Sequence, residues 1–81
     1  MQQTFTKTIT GRILEFNRLL YPVKYNVLLH SYETPGIMIT VNKEEKGKWS
    51  INSLESLPQW VNDVSSNILE AITENESRAA R

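Results

Sequence analysis

The sequence predicts an α+β domain: a four-stranded antiparallel sheet with a C-terminal amphipathic helix packed on one face, in the order ββββα. Two patterns carry that reading. As far as Asn52, apolar and polar residues mostly alternate with the period of two that suits a strand buried on one side. From Leu57 to Ile72 the period changes. At about 100° per residue, Trp60, Ala71, Val64, Leu57, Ile68, Val61 and Ile72 fall within an arc of about 120°. Gln59, Asn62, Asp63, Ser66, Asn67, Glu70, Thr73 and Glu74 lie opposite. A helix with one apolar side needs a surface to lie on, and a sheet face supplies it.

The first strand begins in Thr4-Phe5-Thr6-Lys7-Thr8-Ile9-Thr10, where β-branched residues alternate with Phe5, Lys7 and Ile9. A second follows from Tyr21 to Leu29, with Tyr21, Val23, Tyr25, Val27 and Leu29 on one side and Pro22 near its start, where no ladder bond need pass through its nitrogen. Thr34-Pro35-Gly36 supplies a turn, because proline fixes φ and glycine accepts the positive φ that follows. Ile37, Ile39 and Val41 then form the inner side of a third strand, with Met38, Thr40 and Asn42 outside. Lys43-Glu44-Glu45-Lys46-Gly47 closes a polar hairpin, and Lys48 to Asn52 returns as a fourth strand carrying Trp49 and Ile51.

Gly11 to Leu20 admits two readings. As strand and loop, Gly11 is a bulge that shifts the alternation onto Leu14 and Phe16, and Asn17-Arg18 turns the chain. As a helix, Ile9, Ile13, Phe16 and Leu20 share a narrow arc, which gives the alternative αβββα with residues 9–20 helical. The strand is preferred, because the threonine run sets a β start and Gly11 weakens a helix by about 1 kcal/mol. The expected inner face is then Phe5, Ile9, Ile13, Val23, Tyr25, Val27, Leu29, Ile37, Ile39, Val41, Trp49 and Ile51.

At the helix start, Ser56 and Gln59 have capping-box spacing, and Pro58 suits a first turn whose amides have no internal partner. The apolar arc is next due at position 75 and meets Asn75. Packing is therefore expected to stop there, leaving residues 1–75 as one α+β domain and 76–81 as a frayed tail. Asn75-Glu76-Ser77 matches the glycosylation pattern by chance, since no secretion signal is recognisable.

Composition narrows the function classes. With 81 residues there is room for one small core. The absence of cysteine removes disulfides and thiolate metal sites and agrees with a reducing, cytoplasmic setting. Nine basic and nine acidic residues cancel, so no overall field draws in nucleic acid or an anionic membrane. No run of roughly 18 apolar residues could span a bilayer.

Gly47-Lys48-Trp49-Ser50-Ile51 followed by Leu57-Pro58-Gln59-Trp60-Val61 and the amphipathic tail resembles small stand-alone bacterial proteins of about this length whose function is unassigned. The resemblance covers the later half of the chain. It implies a self-sufficient fold and carries no catalytic residue across.

No residue set amounts to a mechanism, so no catalytic, cofactor-binding or metal-binding residues are assigned and the chain is read as non-enzymatic. His30 is the single histidine, and Glu44-Glu45 is too small a carboxylate cluster for a hard metal. His30 with Tyr32 and Glu33 is the nearest approach to an acid–base pair, and a solvated polar face explains it as well. The better clue is apolar excess. Leu28 and Met38 fall on the nominal solvent face, Leu69 lies outside the helix stripe, and Leu19, Leu20 and Tyr21 have no set place in the core. Leu28, His30, Tyr32, Met38 and Leu69 are therefore the candidate interface of a small interaction or accessory protein, binding another protein or a second copy. The alternative is nucleic-acid or small-ligand binding on the exposed sheet face. The expected single aromatic and balanced charge there weigh against nucleic acid.

Overall fold

The computed structural model describes residues 3–30 and 36–79. It contains one antiparallel sheet and one long C-terminal helix, and the sheet has five strands rather than the expected four. They are β1 (Thr4–Ile9), β2 (Arg12–Leu19), β3 (Lys24–Leu29), β4 (Ile37–Lys43) and β5 (Trp49–Ile51), ordered in space as in sequence. A 3-10 turn at Leu54–Ser56 leads to α1 (Gln59–Ala79). The helical alternative for residues 9–20 is excluded, since Arg12–Leu19 is a strand paired on both sides.

The extra strand comes from Thr10-Gly11. Both residues have positive φ, 50° and 80°, and they join Ile9 to its partner Arg12 as a two-residue hairpin loop. With both central residues left-handed, such a loop has the type I′ form, whose twist matches that of the flanking strands. Gly11 is thus a turn residue and not a bulge, and Asn17-Arg18 lies within β2, paired with Thr4 and Tyr25 on either side. The hairpin also sets the parity of β2. Leu14 and Phe16 point inward and are fully buried, whereas Ile13, expected in the core, is 52% exposed on the other face. The reversal that follows uses Leu20 to Val23, so Tyr21 stands 91% exposed in a turn rather than beginning a strand.

The Lys43–Gly47 hairpin forms as expected. The Glu44 amide donates to Lys48 O at 2.7 Å, the Gly47 amide donates to Glu44 O at 2.8 Å, and Gly47 takes a φ of 85°. Thr34 and Pro35 of the other expected turn lie outside the described residues. Gly36 does not take the positive φ expected of it; a Cβ there would meet Leu28 Cδ1 at 2.9 Å and the Leu29 carbonyl oxygen at 3.2 Å, so a larger residue would have to push the Leu28 side chain aside where the chain enters β4.

The helix covers the inner face. Val61, Val64, Ile68, Ala71 and Ile72 are buried against Leu14, Phe16, Tyr25, Val27, Leu29, Ile39 and Val41, with Phe5, Ile9, Ile37, Trp49, Ile51, Leu57, Trp60 and Leu69 packed around them. Phe5 stacks on Phe16 at 4.6 Å between centroids, and Trp49 meets Tyr25 edge-on at 5.4 Å. The Arg12 guanidinium sits 4.0 Å from the Trp60 ring centre and closes one end of the core.

Both helix ends differ from expectation. Leu57 is extended at φ −92° and ψ 156°, as a residue before proline prefers, so α1 starts after Pro58. The Pro58 carbonyl accepts from the Val61 amide at 3.0 Å. No capping box forms: the Ser56 hydroxyl donates to Ser53 O, and the Gln59 side chain donates to Asp63. At the far end the helix passes Asn75 without fraying and runs to Ala79. Asn75 is itself buried, which removes it as a glycosylation acceptor.

Candidate functional sites: the open sheet face and the helix-end cluster

Antiparallel register places cross-strand partners on the same face, so the surface away from α1 can be laid out in rows. Thr8, Ile13 and His30 form the first, the His30 amide donating to Ile13 O at 3.2 Å. Thr6, Glu15, Leu28 and Met38 form the second. Thr4, Asn17, Asn26 and Thr40 form the third, and Leu19, Lys24, Asn42 and Ser50 the fourth.

Ile13, Leu28 and Met38 therefore make an apolar patch at one end of this face, with Met38 54% exposed and Leu28 half-buried beside Gly36. Within it, His30 Nε2 and a Glu15 carboxylate oxygen are 3.2 Å apart, both about half exposed. A surface pair of this kind is worth at most about 1 kcal/mol and fixes two side chains more than it stabilises the fold. The third row is uncharged and partly self-bonded: Thr40 Oγ1 donates to Asn26 Oδ1 at 3.3 Å and Thr4 Oγ1 to Asn17 Oδ1 at 3.4 Å.

Of the residues expected to form an interface, Leu28, His30 and Met38 do meet on this face. Leu69 does not: it is half-buried on α1 and packs against the core. Tyr32 and Glu33 lie outside the described residues. Leu19, Leu20 and Tyr21 sit at the opposite end, around the β2–β3 turn. The sequence pattern points Ile13 inward, and the two-residue length of the Thr10-Gly11 loop places it with the patch instead.

A second set of polar groups gathers beneath the C-terminal end of α1. Glu76 accepts from Arg18 Nε at 2.7 Å, from Arg18 Nη2 at 3.3 Å and from the Tyr25 hydroxyl at 2.5 Å. Asn75 Nδ2 donates to the same hydroxyl at 2.8 Å. Burial, reinforced by the neighbouring carboxylate of Glu76, raises the Tyr25 phenol to about 12. Desolvation pushes Glu76 upward, but the hydrogen bonds from Arg18 and Tyr25 and the charge of Arg18 outweigh it and leave the carboxyl below its ordinary value. Glu76 is thus charged and Tyr25 neutral at ordinary pH, and Arg18 holds its proton more tightly still. The cluster stores no proton near neutrality. It ties the end of α1 to β2 and β3 with its buried polar atoms satisfied, none being unpartnered among the described residues.

Among the described residues, no three acidic or histidine side chains converge as metal ligands, and no helix is long and apolar enough to cross a membrane. Comparison of the chain with protein-family models, with curated proteins and with solved structures returns no match.

Proposed function

We propose that the protein is a small non-enzymatic adaptor that binds another protein through the open face of its sheet. The observation behind this is the apolar patch of Ile13, Leu28 and Met38 on the side that α1 leaves uncovered, framed by threonine and asparagine. Charge is sparse in the described rows of that face. Glu15 and Lys24, two rows apart, carry opposite charges, and His30 is the single ring in the described rows on which a base could stack, which favours a protein surface over single-stranded nucleic acid.

Size indicates the kind of contact. Four strands about 4.8 Å apart and six residues at about 3.3 Å give a flat footprint on the order of 400 Å². A standard stable interface buries roughly 800 Å² on each partner, so this face suits a weak or transient complex.

The test is a photo-crosslinking amino acid placed at Met38 and, separately, at Ser66 on the outer side of α1, in cells that make the protein. The reading expects a protein adduct from position 38 that Ile13→Glu abolishes, and none from position 66. Equal adducts from both positions, or chemical-shift changes on the open face with oligonucleotides, would overturn it.

A further inference from the structure

The free edge of β1 offers a separate surface. Among the described residues β1 pairs with β2 alone, and its ladder begins where the Arg18 amide donates to Gln3 O at 2.7 Å. In an antiparallel pair, hydrogen-bonded and non-bonded positions alternate. Gln3, Phe5, Lys7 and Ile9 therefore turn their backbone groups toward β2, and Thr4, Thr6 and Thr8 turn theirs outward. Those three exposed threonines present up to about six donors and acceptors to an added antiparallel strand.

Beside that edge runs α1, and between them lies a groove formed by two shallow pockets of about 170 Å³ each. Phe5, Lys7 and Ile9 line its sheet side, and Ala71, Glu70 and Glu74 its helix side. Ala71 faces β1 with a side chain too short to fill the space. Lys7, in the middle of the edge, is exposed and makes no ion pair among the described residues, whereas Glu74 is held by Arg78 at 2.9 Å.

Lysine on an edge strand discourages indiscriminate pairing. It also states what would be accepted. In an added strand, the residue opposite Lys7 occupies a non-hydrogen-bonded pair, where facing side chains come closest, and a carboxylate there would neutralise the lysine. Its neighbours two residues away on either side would meet Phe5 and Ile9. A second copy is a poor occupant: two β1 strands paired antiparallel about Thr6 make the two Lys7 residues diagonal neighbours of like charge.

We infer that the β1 edge and the adjoining α1 groove bind an extended peptide as a sixth strand, with an acidic residue opposite Lys7 flanked at two-residue spacing by apolar side chains. The partner class is thus a segment of the form apolar–x–Asp/Glu–x–apolar.

The experiment titrates the isotope-labelled full chain with two synthetic nonapeptides that differ only in a central glutamate or lysine between apolar residues. The glutamate peptide should shift the amides of Thr4, Thr6 and Thr8 and slow their exchange, binding at least tenfold more tightly than the lysine peptide. Lys7→Glu should reverse the order. Thr6→Pro removes an outward N–H without touching the β1–β2 ladder, so it should keep the fold and abolish binding. The inference is overturned if neither peptide moves these amides, if Lys7→Glu leaves the preference unchanged, or if Thr6→Pro binds as well as the parent. It is equally overturned if the Thr6 amide shifts with protein concentration alone, which would mean self-pairing.

Discussion

Replacing Glu76 by alanine removes the acceptor for Arg18 and the Tyr25 hydroxyl at once, and the cost can be worked from the geometry. Hydrogen bonds to a charged group are worth about 1.5–3 kcal/mol net, and cutting one partner from a fully buried ion pair costs about 3–5 kcal/mol. Here the Arg18 side chain is 10% exposed and that of Glu76 20%, so water can partly compensate the guanidinium that is left behind. The expected loss is about 2–4 kcal/mol, a large part of the roughly 4–12 kcal/mol available to a chain of this size. Urea unfolding followed by the fluorescence of Trp49 and Trp60 would measure it, and each kcal/mol should also lower Tm by about 4–8 °C. The companion variant replaces both charges with apolar side chains, Arg18→Met with Glu76→Leu. It should cost less than either charge-deleting single change, giving a coupling of at least about 1.5 kcal/mol. A loss below about 0.5 kcal/mol for Glu76→Ala, or a cycle that adds without coupling, would refute the docking of the helix end on β2 and β3.

The same cluster predicts pH limits of opposite sign. Because the Glu76 carboxyl is lowered in the folded chain, its contribution is intact above the ordinary value near 4.5 and is lost as pH falls through the depressed one; Glu76→Gln should flatten this acid limb in urea titrations. Tyr25 is raised from 10.0 to about 12, so its contribution is present below pH 10 and disappears between pH 10 and 12; Tyr25→Phe should flatten that alkaline limb. In the first hairpin, Thr10 has a φ of 50°, which asparagine tolerates better than a β-branched residue, so Thr10→Asn should raise stability by about 0.5–1 kcal/mol in thermal unfolding. In the core, Val64→Asp places a charge at a site 3% exposed and should cost about 4 kcal/mol or more, leaving little native circular dichroism at 37 °C.

Particular residues show what could be read from the chain and what could not. The stripe from Val61 to Ile72 and the alternation in β3 and β4 were legible because a regular element with one buried side repeats its period many times. Thr10-Gly11 was not, since a threonine at positive φ is rare and the pair lacks the Asn-Gly form of a two-residue turn. Reading Gly11 as a bulge merges two strands and keeps Ile13 on the inner face with Ile9, although the alternation it places on Leu14 and Phe16 is the one observed. Asn75 misled for another reason. A polar residue in an apolar arc normally marks the end of packing, but here Tyr25 brings its hydroxyl to the same place from a distant strand. Such long-range satisfaction leaves no local trace, and neither does the ion pair of Arg18 with Glu76. The candidate patch was half legible: Leu28, His30 and Met38 follow from strand alternation, whereas Glu15 and Ile13 required the register of β2.

The central claim is that α1 covers one face of the sheet and leaves the other, with its apolar patch, open to solvent. Relaxation of methyl signals by a soluble paramagnetic agent tests it most directly. The account predicts strong broadening for Ile13 and Met38, which are about half exposed, and almost none for Ile39, Ile68 and Ile72, which are at most 3% exposed. Broadening of Ile39 and Ile68 to the extent seen at Ile13, or protection of Met38 in the dilute monomer, would contradict it.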